Sequence, residues 1–96
     1  MLRANLQEKH VFLNYVGHIA FMAGKTCESI PLGFPATVNS LLSELDHLYP
    51  GIRNMFFSAD DSFAVARGII LRRKTSSISI TDPEFELLPG DVVTLW

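Results

Sequence analysis

The residue types able to do chemistry are few in this 96-residue chain, and their spacing assembles no reaction centre. Cys27 is the single cysteine, so no intramolecular disulfide can form. No His, Lys or Arg pattern beside it marks a reactive thiol, and it reads as a small strand residue. His10, His18 and His47 fall at no metal-ligand spacing, so no metal site is expected. Asp60-Asp61 reads as a solvated loop pair, and Glu84 with Glu86 as the exposed face of a strand or loop, not as an acid–base couple. Gly17 and Gly24 lack the spacing and context of a phosphate loop. Without a nucleophile–base or metal constellation, an enzyme is disfavoured and no cofactor is expected. Arg72-Arg73-Lys74 is the basic run. It suits a charged sheet edge that resists edge-to-edge pairing, or a contact with an acidic partner.

The totals narrow the class. Ninety-six residues make one domain that buries about two-thirds of its unfolded surface. Hydrophobic content of 48% against 19% charged residues leaves more apolar surface than a core of this size needs, which hints at a patch kept for a partner. A net charge of −2 gives no general electrostatic case for nucleic acid. A salt-sensitive nucleic-acid contact through Arg72, Arg73 and Lys74 is the weakest alternative. No apolar run approaches the ~18 residues of a membrane span. Residues 1–9 lack the apolar core of a signal peptide and are expected to form a weakly ordered extension. The lone cysteine suits a reducing compartment, so a cytoplasmic location is expected.

Positioning falls to one helix. In T-V-N-S-L-L-S-E-L-D-H-L-Y (Thr37–Tyr49), Val38, Leu41, Leu42, Leu45 and Leu48 recur at spacings of three and four and share one face. Thr37 suits the N-cap, and Pro50-Gly51 ends the helix. Such a stripe needs a cover. His10–Val16 reads as a strand with Val11, Leu13 and Tyr15 on one face. After Gly17, H-I-A-F-M-A is long enough for one or two helical turns, with Ile19 and Met22 or Ala23 inward. Lys25–Leu32 reads as a second strand, and residues 52–57 as a further turn with Ile52, Met55 and Phe56 inward. Ser58–Ser62 reads as a loop. Phe63–Ala66 and Ile69–Leu71 would flank a tight connection at Arg67-Gly68 in which Gly68 takes positive φ. Arg72–Thr81 reads as an irregular excursion or short edge strand, Leu87–Asp91 as a turn, and Val92–Trp96 as the closing strand.

Strand, strand, helix, then two or three strands is most economically an α+β fold: one mixed four- or five-stranded sheet packed on one main helix (37–49). The first and last strands would pair in parallel at its centre. This is the ubiquitin-like β-grasp, spanning residues 10–96. Alternation then puts Phe12, Asn14 and Val16 beside Val92, Thr94 and Trp96 on the outer face. Phe12, Val16, Val92 and Trp96 form the candidate partner surface, with Arg72 and Arg73 near its edge. Trp96 has two readings, an exposed interface anchor or a cap folded onto the barrel end.

Several segments resemble the MoaD/ThiS family, the small sulfur-carrier subunits of molybdopterin synthase and thiamin thiazole synthesis. They are Asn14–Gly24, Phe34–Leu45, L-Y-P-G-I-R (Leu48–Arg53), Ala66-Arg67-Gly68 and L-L-P-G-D-V-V (Leu87–Val93). The resemblance implies a non-catalytic carrier that docks by its outer sheet face on an activating enzyme or on the synthase large subunit. In that family the work is done by a flexible C-terminal Gly-Gly, whose carboxylate is adenylylated and converted to a thiocarboxylate. The sequence ends in Val93-Thr94-Leu95-Trp96 without that pair, and as written it is not expected to carry sulfur. Either further residues follow, or the fold serves as an interaction module, binding a protein partner or itself as a homodimer.

Overall fold

Thr37 opens the helix by a reciprocal cap. Its Oγ1 accepts from the Ser40 amide at 3.1 Å, while Ser40 Oγ accepts from the Thr37 amide at 2.8 Å. The chain is analysed as a computed structural model that describes residues 9–33, 36–57 and 68–96. Its elements are β1 (Lys9–Tyr15), α1 (His18–Ala23), β2 (Cys27–Leu32), β3 (Ala36–Thr37), α2 (Val38–Leu48), a 3-10 turn (Arg53–Met55), β4 (Ile69–Arg73), β5 (Ser76–Ser79), β6 (Glu86–Leu87) and β7 (Val92–Leu95).

The strands form a five-stranded mixed sheet in the order β2-β1-β7-β4-β5. The first and last strands run parallel side by side, with Phe12 opposite Val92 and Tyr15 opposite Leu95. All other neighbours in this sheet are antiparallel. The architecture is the ubiquitin-like β-grasp. A two-residue ladder, Ala36 with Leu87 and Thr37 with Glu86, joins the entry of α2 to the chain before β7. That ladder is absent from the sequence expectation, because two-residue strands carry no periodic signal.

Val38, Leu41, Leu42 and Leu45 are fully buried against Val11, Leu13 and Tyr15 of β1, Ile69 and Leu71 of β4, and Val93 and Leu95 of β7. Each helix side chain contributes about 1.5–3 kcal/mol by leaving water. Leu48, expected as the fifth member, is 55% exposed. The Tyr49 amide closes onto the Leu45 carbonyl at 2.7 Å and the chain turns at Gly51, whose φ is +99°. Ile52 and Phe56 are then fully buried beside the end of α2, so they close the core in place of Leu48.

Other boundaries also differ from expectation. Lys9, assigned to the extension, begins β1, and residues 1–8 lie outside the described residues. The second strand starts at Cys27, not Lys25. The expected loop Ser58–Ser62, strand Phe63–Ala66 and Arg67 also lie outside the described residues. Gly68, expected in a tight connection, exchanges backbone hydrogen bonds with Trp96 at the end of the sheet. The excursion after it is a hairpin, β4 returning as β5 through Lys74-Thr75, with Lys74 at φ +58°.

Candidate partner-binding face

With Leu13 and Tyr15 turned inward, Phe12, Asn14 and Val16 face away from the helix. Cross-strand register carries this face across the sheet in rows. Ser29, Phe12, Val92, Arg72 and Ser77 lie side by side, and so do Cys27, Asn14, Thr94, Ile70 and Ser79. Val16 and Trp96 close the same end, where the Val16 amide donates to Leu95 O at 3.0 Å. Phe12, Val16 and Trp96 are 48%, 49% and 41% exposed, and Val92 is half-buried. Trp96 is neither detached nor core. Its amide donates to Gly68 O at 3.1 Å, the Gly68 amide donates to Trp96 O at 3.2 Å, and the indole lies over Gly68. A Cβ at Gly68 would collide with Cε2, Cζ2 and Nε1 of that ring, so glycine is what lets the indole rest here.

In these rows Phe12, Val92 and Ile70 are set among serines, Asn14 and Thr94, with one cation, Arg72, and among the described residues no carboxylate. Arg73 alternates to the other side. Its guanidinium grips Asp91 at 2.8 and 3.0 Å, reaches Glu86 O at 3.1 Å, and lies 5.5 Å from the centre of the Phe85 ring. Asp91 is 1% exposed and also accepts the Leu88 amide at 2.8 Å. The hydrogen bond to Asp91 raises the Arg73 pKa above its ordinary value. This pair forms part of a surface cleft of about 740 Å³ between the β4–β5 turn and the turn at Pro89-Gly90. Arg73 thus holds the turn that starts β7 and belongs to the candidate face only indirectly, which the sequence run Arg72-Arg73-Lys74 does not reveal.

A second polar cluster also escapes sequence reading. The Glu28 carboxylate accepts the Tyr15 hydroxyl at 2.5 Å and the Tyr49 hydroxyl at 2.7 Å, with Lys25 Nζ at 3.4 Å. Burial, then the hydrogen bond to Glu28, pushes both phenols above their ordinary pKa. Burial of Glu28 acts to raise its own pKa, but the two phenols and Lys25 outweigh it and hold the carboxyl below its ordinary value. The cluster ties β1 and β2 to the residue that ends α2.

The remaining candidates stay apart. Cys27 is exposed at the start of β2. His18 stacks on Phe21 at 6.0 Å between ring centres, and His47 Nδ1 lies 3.2 Å from Ser43 O. Glu84 meets the Asn39 side-chain amide at 3.4 Å. Asp60 and Asp61 lie outside the described residues. Among the described residues no group of three His, Cys, Asp or Glu side chains converges, and no helix is long and apolar enough to cross a membrane.

Sheet order, parallel centre and single crossing helix define the ubiquitin-like β-grasp class. Within it the chain is similar to small archaeal modifier protein 1 of Haloferax volcanii, with 18% identity over 91% of this chain and 92% of that one, at a TM-score of 0.69. It is similar to a putative molybdopterin converting factor subunit 1 from Pyrococcus furiosus, with 22% identity over 91% and 94% of the two chains, at a TM-score of 0.64. Small archaeal modifier protein 1 of Methanosarcina acetivorans gives 15% identity over 92% and 91%, at a TM-score of 0.68. At such identities the likeness speaks for the fold. No protein-family model matches the chain, and no curated protein sequence matches it.

Proposed function

We propose that this chain is a small, non-catalytic protein of the MoaD/ThiS sulfur-carrier type, acting in the cytoplasm through larger protein partners that dock on the outer face of its sheet. The observation carrying this reading is the exposure of Phe12, Val16 and Trp96, with half-buried Val92 beside Phe12, on a β-grasp whose solved neighbours include a molybdopterin converting factor subunit and archaeal modifier proteins. Aromatic side chains are among the residue types that anchor interfaces. Arg72, opposite Val92, adds a cation that a partner carboxylate would meet. Arg73 contributes by holding the sheet edge through Asp91.

The carrier role needs a flexible Gly-Gly segment following Trp96, because adenylylation and thiocarboxylate formation act on a terminal carboxylate. A second reading is an interaction module without sulfur transfer, for which the exposed Phe12, Val16 and Trp96 would suffice. Intact-mass analysis of the protein from its native host, repeated after incubation with ATP and an activating enzyme, separates the two. A terminal Gly-Gly that gains an acyl adenylate or thiocarboxylate supports the carrier, and a native terminus at Trp96 supports the module. Phe12→Asp and Trp96→Asp test the face common to both. Each is expected to abolish complex formation with far-UV circular dichroism unchanged, and binding that survives both substitutions refutes the face.

A further inference from the structure

The two edges of the sheet are not equally protected. Edge strands expose unpaired N–H and C=O groups, and proteins commonly block them with proline or charge. On β2 the Thr26 carbonyl accepts from the Tyr15 amide at 2.8 Å, so by antiparallel alternation Cys27, Ser29 and Pro31 aim their backbone outward. Pro31 has no N–H to offer, which interrupts that edge. On β5 the Ile80 amide donates to Ile69 O at 2.9 Å, so the same alternation aims Ser77 and Ser79 outward. Both are exposed, both have small side chains, and no proline or charge lies within Ser76–Ser79. Among the described residues no strand pairs with that side of β5.

We propose that β5 pairs with β5 of a second copy of this chain across a two-fold axis at Ile78, joining two five-stranded sheets into one of ten strands. With Ile78 opposite Ile78 of the second copy, Ser77 faces Ser79 of that copy and Ser79 faces its Ser77. All four are outward-aimed residues, so each facing pair exchanges two backbone hydrogen bonds. Beyond the strand ends, the same two-fold axis brings the Lys74 turn toward Asp82 of the second copy and Asp82 toward its Lys74; Asp82 Oδ1 accepts the Glu84 amide at 2.9 Å and leaves its other oxygen to meet the cation. Lys74 is exposed with no ion-pair partner among the described residues, and Asp82 is exposed. The half-buried Ile78 side chains meet at the axis and cover each other. Charge reciprocity selects a second copy over a foreign strand, since this edge carries both members of the pair it needs. One short strand per copy buries less than the ~1,000 Å² of a stable interface, so the association belongs to the weak, concentration-dependent class. It leaves Phe12 and Trp96 free, and is therefore separable from docking on the outer face.

Sedimentation velocity at low ionic strength, from low micromolar to low millimolar protein, tests this. The unmodified chain is expected to double its weight-average mass across the series. Ser79→Pro removes an amide that β5 does not use within its own sheet, and is expected to give monomer throughout with native far-UV circular dichroism. Lys74→Glu is expected to weaken association at least tenfold, and Lys74→Glu with Asp82→Lys to restore it. A chain that stays monomeric throughout, a Ser79→Pro variant that still dimerises, or a double variant as weak as Lys74→Glu each overturns the proposal. So does a dimer lost on Phe12→Asp but not on Ser79→Pro.

Discussion

Gly68 and Trp96 face each other across β4 and β7, exchanging both backbone hydrogen bonds, at 3.2 and 3.1 Å, with the indole resting where a Gly68 side chain would stand. Gly68→Ala is therefore expected to lift the ring off the sheet end. The ring is the outer part of a 41% exposed side chain and has room to swing away, so the stability loss should stay near ~1 kcal/mol. Trp96 is the only tryptophan in the chain, so its fluorescence reports the change directly, as a red shift and greater quenching by iodide. An unchanged spectrum would contradict the contact.

The Arg73–Asp91 pair carries a sharper stability prediction. Asp91 is buried, and removing one partner of a buried pair leaves the other uncompensated. Because the Arg73 side chain keeps 28% exposure, it can recover water, and the loss on Asp91→Ala is expected near ~2–3 kcal/mol. Urea denaturation checks this through a lower midpoint at unchanged slope. Arg72→Ala, at the exposed neighbouring position, should lie within ~0.5 kcal/mol of the unmodified chain.

The Tyr15–Glu28–Tyr49 cluster predicts a pH profile. Both phenols titrate higher in the folded chain than when unfolded, so above ~10 the unfolded state binds fewer protons and stability falls as pH rises. Glu28 is shifted the other way; its contribution is present above the ordinary carboxylate range and is lost as pH falls through its lower folded value. Stability should thus be flat near neutrality and decline at both ends. Tyr15→Phe and Tyr49→Phe should each reduce the alkaline slope, read by chemical denaturation at a series of pH values.

The central helix was legible because its apolar period and its capping threonine are local features of the sequence. Alternation likewise placed Val11, Leu13 and Tyr15 inward and Phe12 and Val16 outward. Leu48 was misread because periodicity does not register that Ile52 and Phe56, beyond a proline–glycine turn, occupy the end of the core. Gly68 was given a turn role when it serves a close approach by a residue 28 positions away, a separation no local pattern encodes. Alternation places Tyr15 in the core but says nothing of its hydroxyl, because Glu28 and Tyr49, which complete the cluster, are 13 and 34 residues distant. Arg73 resembles its neighbour Arg72 in sequence, and only alternation across β4 separates a half-buried anchor on Asp91 from an exposed charge.

The strand in the middle of the sheet, β7, follows both of its neighbours, β1 and β4, in the chain. Until Val92–Leu95 leaves the ribosome, the β1–β2 and β4–β5 hairpins have no common neighbour, and the leucines of α2 are only partly shielded. Completion of this sheet is therefore bound to wait for Val92–Leu95, and such long-range closure is slow by comparison with local pairing. A nascent or prematurely terminated copy would present two half-sheets with open flanks, a form for chaperones and proteases to find.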